Sequence, residues 1–331
     1  MQTIGMNVAD KYFIETLKEI KENGVWCKEP RTRWKDGSKA YYKSVHQKHY
    51  RYEIDKGEFP INTLRNTALK GAFYDVEAIY IKQTNILEEM HPSIYSWWED
   101  FVVSEFNIQK LVDDFNESVG FELASVVDKG YIENKHSIGK TYGNTIKRYS
   151  LVDKLLKGME ENPFSRRHII NMWQEQQMID DPKALVPCAF MTEWYVIEEE
   201  ENYQIMTNPP KKVYKRRVNF TLTQRSQDFL TTASINPSQY VMLAMMVCNH
   251  LTFKTGIKHY VGTFVHNVGD SHIYDRHFNA LEELLERKPL DIQPTIELVC
   301  KPKDFYSHTI EDFRFNVPKI KPLKEKLEIA I

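Results

Sequence analysis

These 331 residues predict an α+β fold: one domain with a mixed β-sheet packed against helices. Two observations carry that expectation. Amphipathic helical stretches and short apolar strand-like stretches alternate without a regular β-α-β repeat, which disfavours a doubly wound sheet. There is also no internal repeat, low-complexity segment or Gly/Ser linker to divide the chain, so residues 1–331 read as one catalytic-sized domain with insertions at 101–136 and 197–217.

The elements follow from local pattern. Residues 10–23 place Phe13, Leu17 and Ile20 on one helical face and stop at Gly24. Turn signals at Asp36-Gly37 precede a short strand around Tyr50–Ile54. Residues 63–83 read as a long, mostly apolar helix containing one conspicuous acid, Glu77. Strands are expected at His168–Trp173, Ala189–Val196, Val218–Thr223 and Tyr260–His266, and helices at Pro237–Leu251 and Arg276–Arg287. The acidic run Glu198–Glu201 and the basic run 211–217 flank Asn208-Pro209-Pro210, which predicts a long hairpin with charged arms paired across the strands.

Composition narrows the function. Apolar residues make up 42% and charged residues 27%, the balance of a soluble globular protein. The net charge of -2 provides no general attraction to nucleic acid or an anionic membrane, so an anionic ligand must be met by local arginines. No apolar run reaches the roughly 20 residues of a membrane span. The four cysteines lie far apart, which suits free thiols in a reducing compartment, and the expected location is cytoplasmic.

Generic motifs fail. Gly139-Lys140-Thr141 imitates the end of a P-loop, but Asn134 stands where its first glycine belongs. No H-E-x-x-H is present, and Cys248-x-His250 lies in an apolar helix, where a buried structural pair is expected rather than a metal site. Other combinations are less ordinary. Pro187-Cys188 begins a strand. Gln224-Arg225-Ser226-Gln227-Asp228 offers a guanidinium and a hydroxyl suited to a phosphate, and a nearby guanidinium favours a thiolate. Ser165-Arg166-Arg167 adds two cations, and His272 and Tyr274 share one face of an extended segment.

Together and in order, the segments NPFSRRHIINMW (162–173), VPCAF (186–190), QRSQDFL (224–230), INPSQY (235–240) and GDSHIYDRH (269–277) resemble the thymidylate synthase family. Weaker similarity lies in RTRW (31–34), residues 57–86, WWED (97–100), KTYG (140–143), DFYSHTIEDF (304–313) and the last four residues.

The resemblance implies a sheet-to-sheet homodimer and a set of roles. Cys188 would attack carbon 6 of a uracil ring, making carbon 5 a nucleophile toward the one-carbon unit of 5,10-methylenetetrahydrofolate. Arg225, Ser226 and Arg31 would hold the phosphate, with Arg166 and Arg167 donated by the other subunit. Asn236 would read the pyrimidine edge and so favour dUMP. His272 and Tyr274 would hold the sugar hydroxyl. Glu77 would shuttle protons, and Tyr142 would stand by the water that takes the carbon-5 proton. Trp98, Asp228 and the terminal Ile331 would meet the folate. The folate would supply carbon and hydride together, so no metal or nicotinamide is implied.

Departures from the family pattern are Ala189 after the cysteine, Thr231–Ser234 in place of Gly-Leu-Pro-Phe, and Pro237 after Asn236. They leave two alternatives: a dUMP hydroxymethylase in which water captures the methylene, and a nucleotide- or RNA-binding regulatory homologue.

Overall fold

The computed structural model describes residues 6–106, 135–180, 184–204 and 211–331. Most of the insertion expected at 101–136, and the tip of the hairpin expected at 197–217, lie outside them. Six strands form the main sheet: β1 (Val25–Trp26), β2 (Tyr42–Glu53), β5 (His168–Asn171), β6 (Ala189–Gln204), β7 (Lys211–Asp228) and β8 (Lys258–Tyr274). Their order is β1-β2-β8-β7-β6-β5. Only β7 and β8 run parallel; the other neighbours are antiparallel. Two small antiparallel pairs, β3 (Ser104–Phe106) with β4 (Lys135–Ser137) and β9 (Thr295–Leu298) with β10 (Phe313–Asn316), complete the described strands.

The helices are α1 (Val8–Asn23), α2 (Leu69–Val76), α3 (Gly143–Tyr149), α4 (Leu151–Glu161), α5 (Ile235–Thr255) and α6 (Phe278–Glu286), with shorter helical turns between them. Among the described residues, no helix is long and apolar enough to cross a membrane. Helix α5 connects the parallel strands β7 and β8, and its residues Pro237–Ala244 and Met246–Cys248 are buried almost throughout. An apolar helix without a polar face belongs in an interior. Along β6, Thr192, Trp194 and Val196 are buried while Glu193, Tyr195 and Ile197 are exposed. This period of two means that only one face of that part of the sheet is covered by the chain itself.

Several expected elements changed extent, and three of the changes have a clear local cause or bear on the cavity. The strand expected at 50–54 begins at Tyr42, because its polar residues pair with β8 through the ladder rather than through apolar side chains. Strand β8 continues past 266 to Tyr274 and so includes the Gly-Asp-Ser-His-Ile-Tyr segment. The helix expected over 63–83 starts at Leu69. The preceding residues instead cap their surroundings: Asp10 accepts from the Thr63 backbone N–H at 2.6 Å and its hydroxyl at 2.8 Å, and Asn62 accepts from the Leu64 and Arg65 N–H groups. Short polar side chains that bond neighbouring backbone compete with helix formation. The last turn of that helix, Glu77–Ile81, is widened to a π-turn.

The charged hairpin forms as expected. Glu198 faces Arg216 and Glu199 faces Lys215 across the β6–β7 ladder, with ion pairs at 3.0 and 3.7 Å.

Candidate active site

The ends of β6, β7 and β8 converge with α2, α5 and the chain's last eleven residues around a cavity of about 1300 Å³. Its walls include Arg31, Trp98, Tyr142, Cys188, Arg225, Ser226, Asp228, Asn236, His272, Tyr274 and Ile331. Eleven positions singled out from widely separated parts of the sequence thus meet in one space.

Cys188 stands just before β6. Its backbone N–H donates to the Tyr142 hydroxyl at 3.1 Å, and its carbonyl accepts from the Arg225 N–H at 2.8 Å. The Arg225 guanidinium donates to the carbonyls of Pro187 (3.0 Å) and Val186 (2.9 Å), and one of its nitrogens stands 3.6 Å from the Cys188 sulfur. Arg225 therefore fixes the turn that presents the thiol while placing positive charge beside it. Burial pushes the Cys188 thiol up, and Arg225 and then Arg31 pull it down; the balance lies above the ordinary thiol value. Two glycines permit the close packing. A Cβ on Gly269 of β8 would stand 2.9 Å from the Arg225 carbonyl oxygen, and one on Gly143 would stand 2.2 Å from the carbonyl oxygen of Thr84. Next to Gly143, Tyr142 adopts a left-handed backbone at φ 42°. Such a conformation costs about 1–3 kcal/mol in a non-glycine residue, and the contacts of Tyr142 with Cys188 and with the Trp98 ring (5.1 Å between centroids) hold it there.

The same cavity holds a continuous chain of polar side chains. His266 Nε2 bonds Gln224 Oε1 at 2.9 Å, Gln224 Nε2 donates to Asn236 Oδ1 at 3.2 Å, and Asn236 Nδ2 donates to Gln239 Oε1 at 3.1 Å. Gln239 Nε2 then donates to Asp75 at 2.7 Å, and Trp98 Nε1 donates to its other oxygen at 2.8 Å. Burial pushes the Asp75 carboxyl up to about 6 despite those two donors. A carboxyl at that value exchanges its proton near neutral pH.

Of the two acids on this helix, the one that lines the cavity is Asp75. Glu77 does not line the cavity; its carboxylate stands 3.1 Å from Lys82 in the π-turn, half exposed. One residue of a helix turns by about 100°, so two residues separate the faces widely. Asp75 lies three residues after Ala72 and four before Ile79, both buried. Glu77 has buried residues at the same spacing, Phe73 and Tyr80, so spacing alone does not separate the two acids; the bonds from Trp98 and Gln239 mark Asp75 as the inward one.

His272 Nδ1 bonds Asp270 at 2.7 Å; since a carboxylate only accepts, Nδ1 is the donor in that bond. Asp228 accepts from the Thr231 N–H at 3.4 Å, so the altered segment Thr231–Ser234 begins as a capped helical turn at the cavity rim. The chain end is docked: Arg33 and Ile331 exchange backbone hydrogen bonds of 2.6 and 2.8 Å, and Glu328 pairs with Arg276 at 3.2 Å. Arg166 and Arg167 stay outside the cavity, exposed on the surface. Arg65, Gln224, Gln239, Tyr80 and Tyr240 line the cavity without having been singled out beforehand.

A partly buried thiol gripped by a guanidinium, in one cavity with a buried acid and a carboxamide, defines an enzyme of the thiol-nucleophile class built for a polar, anionic substrate. The family is defined by comparison. The thymidylate synthase family model matches residues 11–327, and the chain belongs to that family. A thymidylate synthase from Streptococcus thermophilus is 35% identical, covering 98% of this chain and all of the relative; one from Streptococcus pneumoniae is 33% identical with the same coverage. The solved thermostable thymidylate synthase A from Bacillus subtilis superposes with a TM-score of 0.70 at 25% identity, over 98% of this chain and 99% of that one.

Proposed function

We propose that this chain converts dUMP to dTMP, with 5,10-methylenetetrahydrofolate as donor of both the carbon and the hydride. The observation that supports this most is the Cys188 sulfur 3.6 Å from Arg225, in one cavity with the Asn236 carboxamide.

In this reading the Cys188 sulfur adds to carbon 6 of uracil, and the electron pair of the 5,6 double bond moves to carbon 5 and O4. Asn236 has one N–H and one oxygen lone pair beyond its bonds to Gln239 and Gln224, which match O4 and N3–H of uracil. Asp75 supplies and takes back the proton that accompanies charge development at O4. Tyr142 stands beside Cys188, where the carbon-5 proton must leave. Arg225, Ser226 and Arg31 hold the phosphate, and His272 and Tyr274 the sugar hydroxyl. The sulfur departs as carbon 5 acquires its methyl group, which returns Cys188 to its starting form.

The folate has a suitable surface. Trp97, Trp98, Phe101, Ile79 and Leu323 make an apolar wall for a flat ring system, with Asp228 able to accept from ring N–H groups and Arg65 near an anionic tail. Ile331 and the docked tail exclude water from the reacting carbon, which favours hydride over water as the final acceptor's partner.

A homodimer is part of the same reading. Ile169 and Tyr195 are 43% and 52% exposed on the uncovered face of β5 and β6, near Phe164 at 51% and the exposed Arg166 and Arg167. A second copy would cover these apolar groups and bring its two arginines to the phosphate.

The test is incubation of purified protein with dUMP and methylenetetrahydrofolate, following dihydrofolate by absorbance and the nucleotide by mass. Dihydrofolate with dTMP is expected. Hydroxymethyl-dUMP with tetrahydrofolate, or no product from protein that binds dUMP, would overturn the assignment.

A further inference from the structure

Asn236 and Asp75 sit on different helices and do not touch; Gln239 spans them. Gln239 is 5% exposed, one helical turn after Asn236 on α5, and each half of its amide is committed: Oε1 to Asn236 and Nε2 to Asp75. The polarity of the chain is fixed from both ends. The Ser226 carbonyl, which can only accept, takes the Gln224 N–H at 2.8 Å and orients that amide. The Asp75 carboxylate, which also only accepts, orients Gln239. Between them Asn236 has a single orientation compatible with all its neighbours.

We propose that Gln239 is a positioning residue that links the protonation of Asp75 to the hydrogen-bonding edge of Asn236, so that pyrimidine reading and proton transfer share one wire. The proposal rests on the dUMP reading for its substrate, but the relay itself is in the geometry. When Asp75 is ionised, Gln239 must turn its N–H groups toward it and its oxygen toward Asn236, which is the arrangement that leaves Asn236 matched to uracil.

The other titratable groups facing Asp75 do not compete for this role. Tyr80, on the turn following α2, Tyr240, on α5, and Tyr142, before α3, are all raised by burial and remain neutral near pH 7. Arg225 directs its guanidinium to Cys188 and the carbonyls at 186 and 187 instead. Within the relay, His266 is pushed down to about 3 by burial and is neutral as well.

Two variants of the full-length protein separate the two halves of the amide. Gln239→Met keeps length and removes both bonds. Gln239→Glu keeps an acceptor for Asn236 and sets a second carboxyl in place of the amide donor to Asp75. Both are compared with wild type for the pH dependence of kcat and for the KM of dUMP, after circular dichroism has shown that each is folded. The acid limb of the kcat profile is expected to move to roughly tenfold lower proton concentration in both, because Asp75 loses its amide donor in Gln239→Met and gains a neighbouring carboxyl of like charge in Gln239→Glu. The KM for dUMP should rise roughly tenfold in Gln239→Met only, where Asn236 loses its partner. A packing role alone would leave the limb where it is. An unmoved limb in either folded variant, or an equal KM in both, overturns the proposal. Failure of wild type to make dTMP would instead sink the substrate reading, and the relay would then be read from dUMP dissociation constants, with the same split between the two variants required.

Discussion

Strands β6 and β7 end in opposite ways, and the contrast shows what makes a charged residue functional. At the hairpin end, Glu198 and Glu199 each meet a cation across the ladder, at the protein surface. At the other end, the same two strands deliver Cys188, Arg225, Ser226 and Asp228 to a cavity where guanidinium and thiol stand together without a carboxylate between them. Matched pairs in water contribute little and ask for no ligand. A cation left unmatched by carboxylate beside a thiol does ask for one. The same lesson is repeated on the helix of residues 69–81, where Glu77 is neutralised by Lys82 and Asp75 is buried with two neutral donors.

The comparison breaks most sharply at Cys188. Cys188→Ala should lower turnover by at least about 10⁴-fold while dUMP still binds, as measured by calorimetry; retained turnover would remove the covalent step. Asp75→Asn against Glu77→Gln comes next. The first should reduce kcat by about 10²–10³-fold and the second by less than twofold, in the same steady-state assay. Arg225→Lys should cost roughly 10²-fold in kcat/KM, because an ammonium cannot hold the Val186 and Pro187 carbonyls together while flanking the sulfur.

Asp75 also has a stability signature. Its folded value, about 6, lies above the ordinary 3.8, so the stability it contributes is complete below about pH 4 and is lost as pH rises through 6. The stability of wild type minus that of Asp75→Asn should therefore fall by up to about 3 kcal/mol from pH 4 to pH 7, at 1.36 kcal/mol per pH unit. Urea melts across that range measure it, and a flat difference would mean that Asp75 is not strained by burial. The smallest effect belongs to the hairpin. Arg216→Ala should cost about 0.5 kcal/mol by the same melts, with kcat unchanged.

Much of this was legible in the sequence because the relevant signals are local. The Gln-Arg-Ser-x-Asp and Gly-Asp-x-His-x-Tyr segments lie on β7 and β8, the Pro-Cys pair stands just before β6, and the ladder of these three strands brings them side by side. The hairpin arms were readable from charge alone. What escaped was long-range. Glu77 looked like the inward acid because its neighbours are apolar, yet the partners that hold Asp75 inward, Trp98 and Gln239, come from other elements of the chain. Gln239 and Gln224 escaped because a glutamine has no signature until its partners, 164 and 12 residues away in the chain, are placed beside it. Strand β2 was under-read because its polar residues gave no apolar alternation, although its backbone pairs continuously with β8 apart from an irregularity at Gln47.

The most direct test of the unmatched thiol uses deoxyuridylate with fluorine at carbon 5. Fluorine cannot leave as a proton does, so the adduct formed after carbon 5 has taken up the one-carbon unit has no forward path. The protein would be incubated with this analogue and methylenetetrahydrofolate, denatured and digested, and the peptide containing Cys188 weighed. The combined mass of nucleotide and folate on Cys188 is the predicted result. An unmodified Cys188 peptide, from protein that makes dTMP from dUMP under the same conditions, would contradict attack by this sulfur.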